Sequence, residues 1–154
     1  MNPLRALIGR VLRFTSERRA RREGLPALAD ALEAHGGQLA ARFASAEGEA
    51  ARATLRHIVG IERWGQRRLA VAEGEPFDPT GHHPHLPPED ATLDELRGAF
   101  AETRTATVEL ARRLAAEGAD GAPKIAHPDL GELSVGGWLA YLDGHASIEA
   151  RRLR

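Results

Sequence analysis

Near its end the chain places a histidine and a glutamate one helical turn apart, in the stretch GWLAYLDGHASIEARRLR. Residues i and i+4 lie on one face of an α-helix, so His145 and Glu149 can offer a nitrogen and a carboxylate oxygen to one metal ion. The same spacing is common in solvent-facing pairs, and spacing alone leaves both interpretations open. A metal site would need a third ligand from another part of the chain.

The candidate for that third ligand is His57, in the stretch TLRHIVGIERWGQRRL. Ile61, Trp64 and Arg68 continue its side of a predicted helix. A histidine from one helix beside a His-xxx-Glu pair on another makes three ligands and leaves coordination positions for water or substrate. Helical bundles commonly build metal sites in this way. His57, His145 and Glu149 are therefore a candidate set of metal ligands, beside the more common alternative of a solvent-facing His–Glu pair.

Three further histidines lie close together in the motif GHHPH: His82, His83 and His85. The motif belongs to residues 73–91, which contain five prolines and two glycines and predict a loop. We interpret the cluster as adventitious rather than dedicated, because no ligand on a regular element is predicted beside it. A loop of this length is also a candidate cover for a pocket.

Two further histidines are interpreted as structural residues. His35 lies alone on the apolar side of a predicted helix, where a histidine is typically a core or boundary residue with a satisfied polar partner. His127 precedes Pro128 and is interpreted as a turn residue, with a polar role near the metal site as the alternative.

The composition limits the class of protein. The chain has 154 residues, 42% hydrophobic and 28% charged, with a net charge of −1, as expected for one soluble domain. It contains no cysteine, which excludes disulfides and thiolate ligands and is compatible with a cytoplasmic protein. Residues 1–24 hold seven Arg against two Glu, whereas the remainder is acidic, so we expect no DNA binding.

Helical periodicity runs through most of the chain and predicts an all-α fold. Residues 1–24 form a predicted basic amphipathic helix, and residues 25–154 an up-and-down four-helix bundle domain. The bundle helices are expected at about residues 27–43, 49–72, 92–117 and 135–152, the third opening on a capping box at Thr92. No membrane span is predicted.

The N-terminal helix carries an apolar stripe formed by Leu4, Leu7, Ile8, Val11 and Leu12. We expect the stripe to pack against the body of the chain or against a second subunit in a homodimer. Binding to a membrane surface is the alternative.

The order of these motifs resembles the DinB/YfiT-like family, also called the damage-inducible DinB superfamily. The resemblance rests on LRHIVGIERWGQRRL, the long loop and helix after it, and HPDLGELSVGGWLAYLDGH, and covers about Ala27 to Arg154. Members are four-helix bundles that typically place one metal-binding His on the second bundle helix and a His-xxx-His pair on the last. The resemblance implies that His57 and His145 are the first two ligands.

The chain departs from the family pattern at the third ligand, where Glu149 replaces the usual histidine. A site of two histidines and one carboxylate would still bind a divalent metal, zinc or nickel first, with manganese or iron as harder alternatives. Alternatively, the site has decayed and Glu149 pairs with an arginine, either Arg152 on the same helix or Arg68.

The resemblance implies a metal-dependent enzyme of stress response or detoxification. Its reaction would transfer a small thiol of the bacillithiol or mycothiol class to an electrophile. Tyr141, Arg68 and Trp64 are then the candidate catalytic or pocket residues. The alternative is a non-catalytic, stress-induced binding or scaffold protein with a degenerate metal site.

Overall fold

Four α-helices dominate the computed structural model, which describes residues 2–153. They are α1 (Pro3–Ala44), α2 (Gly48–Leu69), α3 (Leu93–Ala116) and α4 (Val135–Ala150). Between them lie three short 3-10 helices (Ala70–Glu73, His83–His85 and Ala119–Gly121) and two strands, β1 (Ile125–His127) and β2 (Gly131–Leu133). The all-α prediction is confirmed. Met1 and Arg154, the outer bounds of the two predicted segments, lie outside the described residues.

A kink at Gly24 divides α1 into two halves. Gly24 has φ 78° and ψ 165°, a backbone conformation that favours glycine. Pro26 follows at the start of the second half, where its missing N–H removes no helical hydrogen bond. The chain thus changes direction where the sequence predicted one helix to end and another to begin.

The first half of α1 turns its apolar stripe away from the body. Gly9 is buried on the opposite side, where a Cβ would lie only 2.6 Å from the Asp129 carbonyl oxygen. Five large apolar side chains are 49–61% exposed: Leu4, Leu7, Ile8, Val11 and Phe14. Of the predicted stripe only Leu12 packs on the core, so for the other four residues packing on a second subunit, the other half of the prediction, stays a prediction. No helix within residues 2–153 is long and apolar enough to cross a bilayer.

The buried apolar residues form two clusters. One includes Trp64 and Trp138, whose ring centres lie 5.3 Å apart, and extends to the β1–β2 hairpin. The other includes Phe43 and Phe100, whose rings meet edge to face at 4.9 Å. Helix α1 packs against α3 and α4, and α2 also packs against α3 and α4. This arrangement places α2 and α4 side by side.

A buried ion cluster ties α4 to the other three helices. Asp143 is 1% exposed, and its carboxylate lies 2.8 Å from Arg19 Nη1, 2.7 Å from His35 Nδ1 and 3.4 Å from Arg104 Nη1. Arg104 also forms a two-pronged pair with Glu62, at 2.7 and 3.0 Å. His35 is thus a boundary residue with a polar partner. Because buried charges are tolerated only when paired, the cluster holds α4 in one orientation.

The connections agree only partly with the sequence predictions. Helix α3 begins with the predicted capping box, in which Glu95 N donates to Thr92 Oγ1 at 3.2 Å and Thr92 N to Glu95 Oε2 at 2.7 Å. The predicted all-α fold includes no strand, but between α3 and α4 Ile125 pairs with Leu133 in the antiparallel hairpin. Strands of three residues are too short to show a period-2 pattern, so the sequence carried no signal for them.

Candidate metal centre

The three predicted ligands come together between α2 and α4. His57 Nε2 and His145 Nε2 lie 3.2 Å apart. One ligand atom from each of His57, His145 and Glu149 can be chosen so that all three lie within 4.8 Å of one another. All three residues are half-buried. Two nitrogens bound to one tetrahedral zinc at about 2.0–2.1 Å would lie about 3.3 Å apart, so the imidazole spacing suits a shared metal ion. This cluster could therefore hold a metal ion.

Close helix packing brings the two histidines to this distance. Gly65 lies two turns after His57 on α2, and a Cβ at Gly65 would lie 2.5 Å from Leu142 Cδ2 of α4. A side chain there would push the helices apart. On α4, Asp143 is held by the ion cluster, which fixes the rotation of the helix and so directs His145 and Glu149 towards α2.

Burial keeps the imidazoles neutral. Desolvation lowers the pKa of His145 to about 3, and the neighbouring positive charge of His57 adds to the effect. Desolvation also lowers the pKa of His57, against the opposing influence of the Glu149 carboxylate. Both rings are therefore unprotonated near neutral pH, the state in which a histidine has a lone pair for a metal.

Glu149 also pairs with an arginine of its own helix turn. Arg152 Nη1 lies 2.9 Å from Glu149 Oε2, and the Arg152 side chain is 69% exposed. Arg68, the other predicted partner, donates instead to the carbonyl oxygens of Ala126 and Thr80, at 3.2 and 3.3 Å. The Glu149 side chain is 14% exposed, but its partner is largely solvated, so the pair is weak and a metal ion could compete with Arg152 for the carboxylate.

The candidate catalytic residues separate into two groups. Tyr141 lies beside the ligands, with its ring 5.8 Å from the His145 ring, and burial raises the pKa of its hydroxyl. Trp64 and Arg68 face a different feature: Trp64 Nε1 donates to the Thr80 carbonyl at 3.0 Å, and the Arg68 guanidinium lies 4.6 Å from the Phe77 ring centre. These two residues therefore hold the long loop.

Residues 74–91, which we call the strap, run along α2. In addition to Trp64, Arg56 Nε donates to the Pro87 carbonyl at 2.7 Å. Gly60 allows a close approach, because a Cβ there would lie 2.5 Å from Leu86 Cδ2. The strap is thus fastened at several levels to the helix that carries His57.

The strap brings His82 close to His57, one of the three predicted ligands. Its ring centre lies 5.7 Å from that of His57 and 6.4 Å from that of Trp64. The interpretation of GHHPH as having no ligand on a regular element nearby is therefore wrong, because α2 presents His57 to it. The missed signal was the row of long donor side chains on α2, at Arg52, Arg56, Trp64 and Arg68, which was available to bind a loop.

His127 was interpreted as a turn residue, but it is the last residue of β1 and pairs with Gly131, directly before the hairpin turn. Its Nδ1 accepts from the backbone N–H groups of Asp129 and Leu130, at 3.1 and 3.2 Å, which places the ring proton on Nε2. That Nε2 is buried and has no hydrogen-bond partner within the described residues. Burial lowers the pKa of His127 to about 4. The ring packs against Trp64, Trp138 and Tyr141, which separates it from the ligand set.

A cavity of about 430 Å³ opens beside the ligands, between α4 and the first half of α1. Tyr141, His145 and Glu149 line its polar side. Ile8 and Ile148 contribute apolar surface. The cavity can therefore receive a small molecule that has both a polar and an apolar part.

Comparison of the chain with protein-family models, with curated proteins and with solved structures finds no match. The DinB/YfiT resemblance thus stays a prediction, and the function has to be argued from the geometry of the site.

Proposed function

We propose that the chain is a metal-dependent enzyme of the DinB/YfiT type, with an up-and-down four-helix bundle, and that it binds one divalent ion through His57, His145 and Glu149. The observation that carries the proposal is the 3.2 Å separation of the two Nε2 atoms, which come from different helices. Two neutral imidazoles and a carboxylate suit zinc or nickel, and the carboxylate also admits manganese or iron.

The proposed reaction is the transfer of a low-molecular-weight thiol, of the bacillithiol or mycothiol class, to an electrophile. A divalent metal, when bound, lowers the pKa of a coordinated thiol or water and so supplies a nucleophile at neutral pH. The thiol would give its proton to solvent, its sulfur would form a bond to the electrophilic carbon, and the leaving group would depart with the electrons of the bond that breaks. The chain has no cysteine, so the thiol comes from the substrate.

The chain's own residues orient the substrate in this proposal. The Tyr141 hydroxyl, whose raised pKa keeps it protonated, donates a hydrogen bond to a substrate oxygen or sulfur in the cavity. The apolar wall at Ile8 and Ile148 receives the hydrophobic part of the electrophile and excludes water. We place this activity in cytoplasmic stress response or detoxification.

We further propose that the active form is a homodimer. The exposed face of Leu4, Leu7, Ile8, Val11 and Phe14 is larger than the scattered apolar residues that monomers usually expose. A second copy packed on this face would bury it and would cover the α1 side of the cavity.

The second candidate is a non-catalytic binding or scaffold protein with a degenerate metal site. The pairing of Glu149 with Arg152 favours it, because the carboxylate already has a cation as partner. In this case the exposed face of α1 would be the functional surface.

Elemental analysis of the untagged protein separates the two candidates. The enzymatic proposal expects one divalent metal per chain, which is lost in His57→Ala and in Glu149→Ala. His83→Ala is the matched control, since it removes an exposed histidine and should keep the metal. A parent protein that stays metal-free after incubation with zinc, nickel, manganese and ferrous iron would reject the metal enzyme and favour the scaffold.

A further inference from the structure

We propose that His82, carried by the strap, is a fourth ligand of the metal ion. This inference rests on the proposed metal site. It adds a residue from outside the two helices and changes the resting site from an open to a capped one.

The position of the His82 ring carries the inference. The His57 ring has two histidine neighbours at similar distances, His145 at 5.1 Å and His82 at 5.7 Å between ring centres. In a tetrahedral zinc site with Zn–N bonds of about 2.0–2.1 Å, the centres of two ligand rings lie about 5 Å apart. The His82 ring thus lies at about this distance from His57, but His82 is outside the group of three residues whose ligand atoms lie within 4.8 Å of one another. Its side chain would have to move towards His145 and Glu149 to complete a site of three histidines and one carboxylate.

The strap holds His82 in place before a metal arrives. On one side of His82, the Thr80 carbonyl accepts from Trp64 Nε1 at 3.0 Å and from Arg68 Nη2 at 3.3 Å. On the other side, the His82 carbonyl accepts from His85 N at 2.9 Å, which closes a tight turn. A ligand on an ordered segment loses little conformational entropy on binding.

The neighbouring histidines of the motif do not share this position. His83 is exposed and stacks on the His82 ring at 5.2 Å, on the side that supports His82. His85 belongs to the 3-10 turn that follows and makes no ring contact with His57. Only the first of the three histidines therefore faces the ligand cluster.

A removable fourth ligand matches the proposed chemistry. While His82 caps the metal, the coordination is closed as in a structural site. A substrate thiol would then have to compete with the His82 imidazole for the metal. His82 would thereby exclude any ligand that binds the metal more weakly than imidazole.

Cobalt(II) is a suitable probe, because its visible spectrum distinguishes four-coordinate from higher-coordinate sites. The metal-free parent is titrated with Co²⁺ beside His82→Ala, His82→Asn and the matched control His85→Ala, which changes a histidine of the same turn that makes no ring contact with His57. We expect an intense tetrahedral spectrum for the parent and the control. Both His82 variants should show a weaker spectrum, and their affinity should fall at least about tenfold, since loss of even an outer partner of a ligand costs that much.

Two failures are distinguishable in this experiment. If the His82 variants bind Co²⁺ with the parent's affinity and spectrum, the fourth ligand is rejected and the three-residue site stands. If the parent does not bind Co²⁺, the proposed metal function fails, and the inference fails with it. His57→Ala in the same series identifies the site that is being measured.

Discussion

His57 Nε2 and His145 Nε2 lie 3.2 Å apart although 88 residues separate them along the chain. Without a metal, one ring can donate a hydrogen bond to the other, which requires a proton on one of the two Nε2 atoms. A metal ion requires both Nε2 atoms to be free of protons. Metal binding therefore competes with this hydrogen bond and with the pairing of Glu149 to Arg152.

The competition at Glu149 predicts that Arg152 lowers the affinity of the site for a metal ion. Arg152→Gln should raise the affinity for Co²⁺ by up to about fivefold, because an ion pair with a solvated arginine contributes at most about 1 kcal/mol. Arg151→Gln is the control, since it removes the same charge from the preceding residue and leaves the Glu149 pair intact. Calorimetric titration of the metal-free proteins measures the difference. Equal affinities in the two variants would contradict direct competition.

The buried His127 predicts a pH-dependent stability. Its folded pKa of about 4 lies below the value of about 6.5 in an unfolded chain, so the unfolded state binds more protons between these limits. The free energy of unfolding should therefore fall as the pH drops from about 6.5 to about 4, by up to about 1.4 kcal/mol per unit from this residue. His127→Asn should flatten that part of the curve.

Urea unfolding in the presence of EDTA, repeated across this pH range, provides the measurement. His83→Asn, which removes an exposed histidine, should follow the parent. Parallel curves for the parent and His127→Asn would show that His127 does not resist protonation in the folded state.

The ion cluster around Asp143 predicts a large effect of one buried arginine. Arg104→Leu leaves the buried Glu62 carboxylate without its charged partner and removes one of the three partners of Asp143, and we expect a loss of about 3–5 kcal/mol in the free energy of unfolding. Arg112→Leu is the control, because Arg112 is 51% exposed and its pair with Glu33 should contribute about 1 kcal/mol at most. Similar losses in the two variants would mean that the buried pairing is not a major source of stability.

Two helical glycines test whether the strap must lie close to α2. Gly98 is exposed with open space around it, so Gly98→Ala should gain about 1 kcal/mol from helix propensity. Gly60→Ala should instead destabilise by about 1–3 kcal/mol, because its Cβ would lie 2.5 Å from Leu86 Cδ2 and 3.3 Å from Leu86 Cα. It should also weaken Co²⁺ binding by displacing His82. Equal gains in both variants would show that the strap moves freely.

The apolar face of α1 predicts the oligomeric state. In size-exclusion chromatography with light scattering, the parent should have the mass of a dimer at micromolar concentration. The double variant Leu7→Glu/Val11→Glu should have the mass of a monomer, since charges would enter an apolar interface. The double variant should keep its affinity for Co²⁺, because neither residue touches the ligands. A parent that is monomeric across the concentration range would reject the dimer.

Sequence reasoning predicted what local patterns encode. Helical periodicity located the four main helices, Gly24 and Pro26 marked the change of direction, and Thr92 with Glu95 predicted a capping box that is present. The i, i+4 spacing placed His145 and Glu149 on one face, and the structure brings His57 to them across the α2–α4 contact.

Contacts between residues far apart in the sequence could not be predicted from local patterns. Arg19 and Asp143 form an ion pair although they are 124 positions apart in the sequence, and no local pattern near either residue predicts the contact. The outward stripe of α1 was also ambiguous, because an amphipathic helix looks the same whether its apolar side faces the body or solvent. The path of the strap was missed because prolines show where a helix cannot form and do not show what binds the loop.

The strap is held to α2 through its main chain. Side chains of α2 grip it by main-chain carbonyl oxygens, those of Thr80, Pro87 and Ala91, which every amino acid possesses. The course of the segment and the groups that it displays are consequently specified by different residues. Residues at positions such as 82 and 83 can therefore be substituted while the strap keeps its path. Such substitutions would give the same fold a different reactivity.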